Sequence, residues 1–390
     1  MQAGDWNFPT AIRFGAGRIA ELPAVLGPLG MRRPLLVTDE GLAALPIVTD
    51  ALALLRDAGV DARLYSDVQG NPTGANVVAG AALLRDEQRD GVIAMGGGSA
   101  LDAGKAIAML AGQDGRLWDY ADGEDAWTRI DAAAILPVVA VPTTAGTGSE
   151  VGRAAVILDE QAQSKKIIWH PGMLPRVVIS DPALTVGLPP DVTAWTGIDA
   201  MVHAIEAYCS PAFHPMAEGI AVEAIRLVAR WLPVAVADGA NIEARGNMLA
   251  AASMGATAFQ KGLGSVHSVS HVVGALYNTH HGLTNAIVLP FGLTQNLPAC
   301  GDKLAHLARV LQLPEVSAGG FIDYIFRLRQ ELQIPPALAQ LGVDAARARE
   351  IGQLAFADPS TPGNAMPVDA ADLERLFRAA QSGDVAELRS

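Results

Sequence analysis

The sequence has few cysteines, and it lacks long apolar runs and an N-terminal export signal. Its 390 residues contain two cysteines, Cys209 and Cys300, so a multi-disulfide framework is excluded and at most one disulfide could form. Its apolar stretches are interrupted by Gly, Pro or charge before they reach the length that spans a bilayer. Its first residues lack a basic segment followed by an apolar one. We therefore expect a cytoplasmic protein with no membrane partner.

Charged residues are also scarce, at 18% of the chain, and they form no long run. Because half of the residues are apolar, this composition predicts an ordered protein with a large core rather than a disordered chain. A formal net charge of −13 argues against nucleic acid or an anionic membrane as a partner. The length is sufficient for two domains.

Short β-rich runs alternate with helical patterns through the first half of the chain. The predicted strands lie within 34–39, 62–68, 91–99, 137–150 and 176–184. Apolar strands that alternate with helices are typical of a parallel sheet covered on both faces. The opening segment 6–17 has the pattern of a strand or hairpin without a local partner. We expect it to pair elsewhere in the sheet or with a second subunit.

The pattern changes after a break at 187–190. Helical spacing is found in 191–208, 217–237, 243–260 and 264–276, and again after 301. We place a domain boundary near Pro189, which divides the chain into an α/β domain, residues 1–188, and an all-helical domain, residues 189–390.

A glycine-rich turn at 96–99 follows one predicted strand and begins a helix. Glycine lets the backbone approach a phosphate, and a helix N-terminus offers unpaired N–H groups and a positive dipole end. The candidates for cofactor contact from this turn are Gly97, Gly98, Ser99 and, one helical turn further on, Asp102. The turn is not the usual dinucleotide fingerprint, because no third glycine follows at the spacing of that motif.

An acidic residue, Asp39, lies at the end of an earlier predicted strand. A carboxylate there would bond a ribose diol and repel a 2′-phosphate, which favours NAD over NADP. The alternative is a turn that serves only tight packing, with Asp39 as a helix cap. A second polar loop, 142–150, follows another strand and carries Thr143, Thr144 and Thr147. These hydroxyl side chains suit a polar cofactor. The alternative is an ordinary loop without a ligand.

The helical half concentrates histidine. Asp199 and His203 are four residues apart, as are His267 and His271, so each pair shares one helix face. His280 and His281 follow. One carboxylate with two or three imidazoles suits a divalent ion such as Fe, Zn, Co or Ni. The alternative is a set of core or capping histidines, and spacing does not decide which of the last three would complete the metal site.

Taken in order, the motifs resemble the iron-containing (group III) alcohol dehydrogenases along nearly the full length. The matching blocks are LLVTD, NPT, GGGSALDAGKA, PTTAGTGSE, DPALT, GIDAMVHAIEAY and GLGSVHSVSH with HHGLTNAIVLP. The resemblance implies a Rossmann-like N-terminal domain and an all-helical C-terminal domain of the dehydroquinate synthase-like architecture, with the active site in the cleft between them. It also implies a homodimer or a larger homo-oligomer.

The resemblance also implies residue roles. The metal ligands would be Asp199, His203, His267 and His281, with iron as the expected metal and zinc as the alternative. His271 would be the catalytic histidine beside the nicotinamide. The positions that match cofactor contacts are Asp39, Asn71, Gly98, Ser99, Thr143, Thr144, Thr147 and Lys166, with Leu184 as a further candidate.

The chain departs from the family pattern at two places and is most similar to one branch. Val151 to Arg153 follow the threonine loop where many relatives have a small hydroxyl residue, and the stretch 358–368 lacks a frequent Asn-Pro-Arg. Further motifs resemble the 4-hydroxybutyrate dehydrogenases. Such a substrate needs a cation, for which Lys261 and Arg153 are candidates unless both are solvated surface charges.

Three other functions compete with an NAD-linked, iron-dependent dehydrogenase of a primary alcohol. One is a zinc-dependent polyol dehydrogenase of the glycerol type. Another is a lyase related to dehydroquinate synthase, which would need a basic cluster near the histidines that the sequence does not show. The third is a non-enzymatic nucleotide-binding or storage role.

Overall fold

The computed structural model describes residues 10–121 and 125–389. The chain forms two compact units, which divide between Gly187 and Leu188, one residue from the predicted boundary. Across the described ranges, no helix combines the length and the apolar character that crossing a membrane requires.

The first unit is built on a six-stranded sheet in which every strand pair is parallel. The strands of this sheet are β1 (Ala11–Phe14), β2 (Leu35–Val37), β3 (Arg63–Tyr65), β4 (Val92–Gly96), β5 (Val138–Pro142) and β8 (Val177–Ser180). Their order across the sheet is β1-β8-β5-β4-β2-β3. The helices of this unit are α1 (Leu22–Leu26), α2 (Pro46–Asp57), α3 (Gly74–Asp86) and α4 (Gly98–Leu110). The predicted α/β class is confirmed.

The central strands are apolar throughout because they are covered on both faces. Strands β2, β4 and β5 are buried at every residue. Side chains such as Leu36, Ile93 and Val139 form one core with Leu22 and Leu55 of helices α1 and α2. This core packs one face of the sheet against helices α1 and α2.

The strand order reverses between β2 and β4. From β2 the chain moves outward to β3, whereas from β4 it moves to β5 and β8 on the other side. In open parallel sheets, ligands bind outside the carboxyl ends of the strands at such a switch point. Asp39 follows β2 and Gly97 follows β4, so the predicted nucleotide residues flank the switch point.

The opening strand has a partner within its own sheet. Ala11–Phe14 pairs in parallel with Val177–Ser180, and this makes β1 an edge strand. The sequence left open whether this segment pairs in the sheet or with a second subunit, and the structure shows the first. The part of the segment before residue 10 lies outside the described residues.

An antiparallel hairpin of β6 (Ala154–Asp159) and β7 (Ser164–Trp169) was not predicted. Side chains of β6 alternate between half-buried and buried, which is the expected pattern for a strand with one covered face. The Leu158 N–H donates to the carbonyl of Pro72 at 2.8 Å, so the hairpin is fastened to the loop around Asn71.

The second unit is helical in its described residues, as predicted. Its helices are α5 (Pro190–Cys209), α6 (Pro215–Ala237), α7 (Ile242–Ala258), α8 (Ser265–Tyr277), α9 (His281–Val310), α10 (Ala318–Glu331), α11 (Ala348–Phe356) and α12 (Ala370–Ser382). Helix α9 continues through Pro290 and Pro298, although proline removes a helical hydrogen bond at each place. Cys209 and Cys300 are free thiols.

Candidate functional site

Four side chains of the helical unit converge on one point. Asp199 and His203 of α5, His267 of α8 and His281 at the start of α9 each bring a ligand atom within 4.8 Å of the others. Asp199 is 2% exposed and His267 is 1% exposed, whereas the side chain of His281 is 24% exposed. We call these residues the four-ligand cluster. It has the composition that the sequence predicted for a divalent metal site.

A close helix approach brings the fourth ligand to the other three. A Cβ atom on Gly282 would lie 2.5 Å from the carbonyl oxygen of Trp195 and 3.2 Å from Cβ of Asp199. Only glycine therefore lets the first turn of α9 lie so near to α5. His281 precedes this glycine, and so its imidazole reaches Asp199, with Nε2 3.8 Å from Oδ1.

Asn285, one turn after His281, lies among the ligand atoms. Its Nδ2 donates to Oδ1 of Asp199 at 2.7 Å and lies 3.2 Å from Nε2 of His267 and 3.1 Å from Nε2 of His281. Its buried Oδ1 has no hydrogen-bond partner. Three imidazoles and a carboxylate whose ligand atoms converge are the donor set that a borderline divalent cation prefers.

His271 is next to this cluster but is held differently. Its Nδ1 lies 2.9 Å from Oδ2 of Asp358, and its ring is stacked on His281 with the centroids 5.3 Å apart. Burial alone would raise the pKa of Asp358, but the charge and hydrogen bond of His271 and a bond from Ser360 hold it below its usual value. An ionised Asp358 keeps the proton of His271 on Nδ1.

His280 has a structural role. Its Nδ1 accepts the Leu283 N–H at 3.4 Å, so it caps helix α9, and its ring packs 5.1 Å from Trp195. The sequence did not decide between His271, His280 and His281 as ligands. The four-ligand cluster includes only His281 of these three.

In the first unit, the predicted nucleotide residues gather at the carboxyl edge of the sheet. Asp39 accepts the Leu42 N–H at 3.0 Å with Oδ1, and a Cβ atom on Gly96 would lie 3.4 Å from its Oδ2. Gly96 has a φ of +150°, and its missing side chain would also meet Ala100 at 2.7 Å. Only glycine fits this turn, so the two strand ends can lie side by side.

The glycine turn and the threonine loop contact each other directly. A Cβ atom on Gly97 would lie 3.3 Å from Cγ2 of Thr144, and one on Gly98 would lie 2.5 Å from Cγ2 of Thr147. The Thr143 N–H donates to the carbonyl of Gly96 at 3.0 Å. The two loops therefore form one surface, which the sequence predicted only as two separate ones.

The remaining predicted cofactor residues are placed around this surface. Oγ of Ser99 donates to the Gly70 carbonyl at 2.6 Å, next to Asn71. Lys166, in the hairpin, pairs with Asp159 at 3.2 Å. Leu184 packs against the core of the unit. The cofactor contacts of these residues remain predictions.

Both carboxylate oxygens of Asp102 are engaged by the protein. Oδ1 accepts from Ser149 and lies 3.1 Å from Nζ of Lys105, and Oδ2 accepts the Val156 N–H at 2.9 Å. These bonds favour a role in holding the threonine loop over direct contact with a cofactor.

Lys261 is not a solvated surface charge, and it is not a cation open to a substrate. Its buried ammonium lies 2.8 Å from Glu218 and donates to the carbonyls of Tyr208 at 3.1 Å and Ser210 at 2.6 Å. An ammonium has three N–H donors, and all three are used here. Lys261 therefore fastens the end of α5 and has no donor left for a substrate carboxylate. Arg153 lies 5.9 Å over the ring of Trp169.

Sequence reasoning missed three polar residues at the cluster: Glu206, Asn285 and Asp358. Glu206 and Asn285 had a usable signal, because they lie one turn after the predicted ligands His203 and His281 on the same helices. Asp358 had none, because it is 87 residues from His271 in sequence.

A parallel sheet with a polar carboxyl edge and a helical unit with a buried carboxylate–imidazole cluster are the features expected of a metal-dependent enzyme that binds a nucleotide cofactor. One family model, iron-containing alcohol dehydrogenase, matches residues 9–182, and a second, for the C-terminal part of the Fe-containing alcohol dehydrogenase family, matches residues 193–381. The chain belongs to the iron-containing alcohol dehydrogenase family, as its motifs predicted, and it is an alcohol dehydrogenase.

Individual relatives agree over almost the whole chain. A 4-hydroxybutyrate dehydrogenase of Cupriavidus necator is 39% identical, over 94% of this chain and 97% of the relative. The crystal structure of a 1,3-propanediol oxidoreductase is 36% identical with a TM-score of 0.92, covering 97% of this chain and 100% of that one. A sulfoacetaldehyde reductase from Bifidobacterium kashiwanohense, solved in complex with NAD+, is 29% identical with a TM-score of 0.88, covering 98% and 100%.

Proposed function

We propose that the protein is an NAD-linked dehydrogenase of short primary alcohols that uses one divalent metal ion, iron in the native enzyme. The observation that carries this proposal is the four-ligand cluster, in which Asp199, His203, His267 and His281 converge within 4.8 Å. A divalent ion held there would supply Lewis-acid chemistry that lowers the pKa of an alcohol hydroxyl. NAD would accept the hydride.

The remaining work falls to side chains of the chain itself. His271, its Nδ1 held by Asp358 at 2.9 Å, presents Nε2 as the atom that takes up the proton released from the alcohol. Both residues are largely buried, so bulk water is kept from this proton. Asp358 keeps the histidine ring at a fixed angle.

The preference for NAD is supported by the place of Asp39 at the switch point. Its Oδ2 faces Gly96, at the end of the neighbouring strand. A carboxylate in this position bonds a ribose diol and repels a 2′-phosphate. The structure of the Bifidobacterium relative contains NAD+, which supports the same cofactor here.

The substrate proposal is a short primary alcohol, with 4-hydroxybutyrate first because the Cupriavidus relative carries that name. The three N–H groups of the Lys261 ammonium are bound to Glu218 and two carbonyls. A substrate carboxylate would therefore have to be recognised by another group, and Arg153 is the remaining candidate.

Metal removal tests the proposed reaction. We expect chelated protein to be inactive, and Fe²⁺ restored without oxygen to give turnover of 4-hydroxybutyrate or 1,3-propanediol, followed as NADH absorbance. A parallel assay restores Zn²⁺ and uses glycerol as the substrate. The polyol alternative predicts higher activity with Zn²⁺ and glycerol than with Fe²⁺ and the short primary alcohols. Full activity in protein shown to be metal-free would contradict the proposed function.

We also propose that the protein is a cytoplasmic homodimer or larger homo-oligomer. Its two cysteines are free thiols, as is usual in a reducing compartment. Edge strand β1 exposes Ile12 at 38% and Phe14 at 46%, and a second copy is the occupant that we infer for this edge.

Sedimentation velocity tests the assembly. We expect Phe14→Glu to shift the wild-type species towards the monomer, because a buried charge without a partner is costly in an interface. The matched control is Phe356→Glu, which changes a 51% exposed phenylalanine of the helical unit and should leave the mass unchanged. A monomeric wild-type protein would refute the proposed oligomer.

A further inference from the structure

Glu206 belongs to the same helix face as two of the four ligands. It lies three residues after His203 and seven after Asp199 on α5, a spacing that places all three on one side of the helix. The residue is 8% exposed. A carboxylate this deeply buried is costly unless it is paired, and its partners indicate what it does.

Both oxygens of Glu206 bind the start of α8. Oε2 lies 2.5 Å from Nδ1 of His267, and Oε1 accepts the Val266 N–H at 2.9 Å. The Val266 N–H is one of the first four of its helix, which have no acceptor inside the helix. A negative charge is also favoured there by the helix dipole. One side chain of α5 thus holds both the backbone of α8 and the ring of its ligand histidine.

This arrangement fixes which nitrogen of His267 can bind a metal. An ionised carboxylate only accepts hydrogen bonds, so the ring must carry its proton on Nδ1. The lone pair is then on Nε2, which lies 3.2 Å from Nδ2 of Asn285, the group that also contacts Asp199 and His281. A ligand histidine whose other nitrogen donates to a carboxylate is held in one tautomer and orientation and is a more basic ligand.

We infer that Glu206 is a positioning residue of the metal site, which sets the tautomer and the ring angle of His267. The inference rests on the proposed metal-dependent function. Glu206 is not part of the four-ligand cluster, and it acts through its contacts with Val266 and His267. Its contribution is that His267 is already oriented when the ion binds.

The test is the metal affinity of the protein without substrate or NAD. Chelated wild-type and Glu206→Gln proteins are titrated with Zn²⁺ and Co²⁺ against a chromogenic chelator, and the Co²⁺ absorption spectrum is recorded. We expect Glu206→Gln to bind about 10- to 100-fold more weakly, the usual effect of losing such a partner. A glutamine cannot accept from both Val266 and His267 through two oxygens, and its NH₂ group would favour the wrong tautomer. An altered Co²⁺ spectrum is the accompanying signature.

Glu218→Gln is the matched control. Glu218 is a part-buried glutamate of the same unit, paired with Lys261 and Lys303 at 2.8 and 2.9 Å. We expect its loss to lower the melting temperature of the metal-free protein and to leave metal affinity unchanged. If Glu206→Gln does not fold, Glu206→Asp, which keeps the charge with a shorter reach, replaces it and should bind more weakly than wild type.

The outcomes separate the two hypotheses. Wild-type affinity and an unchanged Co²⁺ spectrum in the folded Glu206 variant would overturn the inference and leave the proposed function intact. Equal losses of affinity in the Glu206 and Glu218 variants would also overturn it, because they would reflect general destabilisation. Failure of the wild-type protein to bind either metal would refute the proposed function itself.

Discussion

His281→Ala is expected to abolish bound metal and to lower kcat by about a thousandfold. Metal Lewis acidity contributes several kcal/mol to stabilising a developing alkoxide, and each 1.4 kcal/mol is about a factor of ten in rate. His281 offers one of the four candidate ligand atoms that converge among the described residues. The measurement is metal content by elemental analysis together with the initial rate of NADH formation at saturating metal.

The adjacent histidine provides a matched control. His280 caps α9 through the Leu283 N–H and lies outside the four-ligand cluster. We expect His280→Ala to cost about 1 kcal/mol of unfolding free energy, as the loss of a helix cap does, and to retain metal and most of the activity. If His280→Ala lost the metal while His281→Ala kept it, the ligand assignment would be wrong. Such a result would leave the family membership untouched.

These neighbouring histidines show where sequence reasoning stops. Helical spacing alone placed Asp199 with His203 on one face, because a helix repeats every 3.6 residues. It could not choose between His280 and His281, because that choice depends on where α9 begins. The helix begins at His281, and the close approach at Gly282 turns this residue towards Asp199. The family motifs predict His281 as the ligand, and His281 is the histidine of this pair that lies in the four-ligand cluster.

The α/β fold was predictable because its strands are short apolar runs bounded by turns. The hairpin β6–β7 was missed, although β6 alternates in burial, because its residues follow the threonine loop without a clear break.

Lys261 shows a different limit of prediction from sequence. Its sequence position does not reveal that the ammonium is surrounded by Glu218 and by the carbonyls of Tyr208 and Ser210 at the end of α5. Partners brought together from distant parts of the chain, like Asp358 and His271, follow only from tertiary packing.

Asp39→Asn is expected to raise kcat/KM for NADP by about thirtyfold or more while changing that for NAD less. Near a protein surface, two charges 4 Å apart repel by about 4 kcal/mol, and about half of that value already corresponds to this factor. Asparagine keeps an oxygen that can accept the Leu42 N–H, so the turn after β2 should persist and the change is mainly one of charge.

The matched control is Asp102→Asn, because the carboxylate of Asp102 is bound to Ser149 and Val156. That variant should lose stability without a change in the ratio of the two kcat/KM values. An unchanged ratio in Asp39→Asn would mean that the carboxylate at the switch point does not face the ribose.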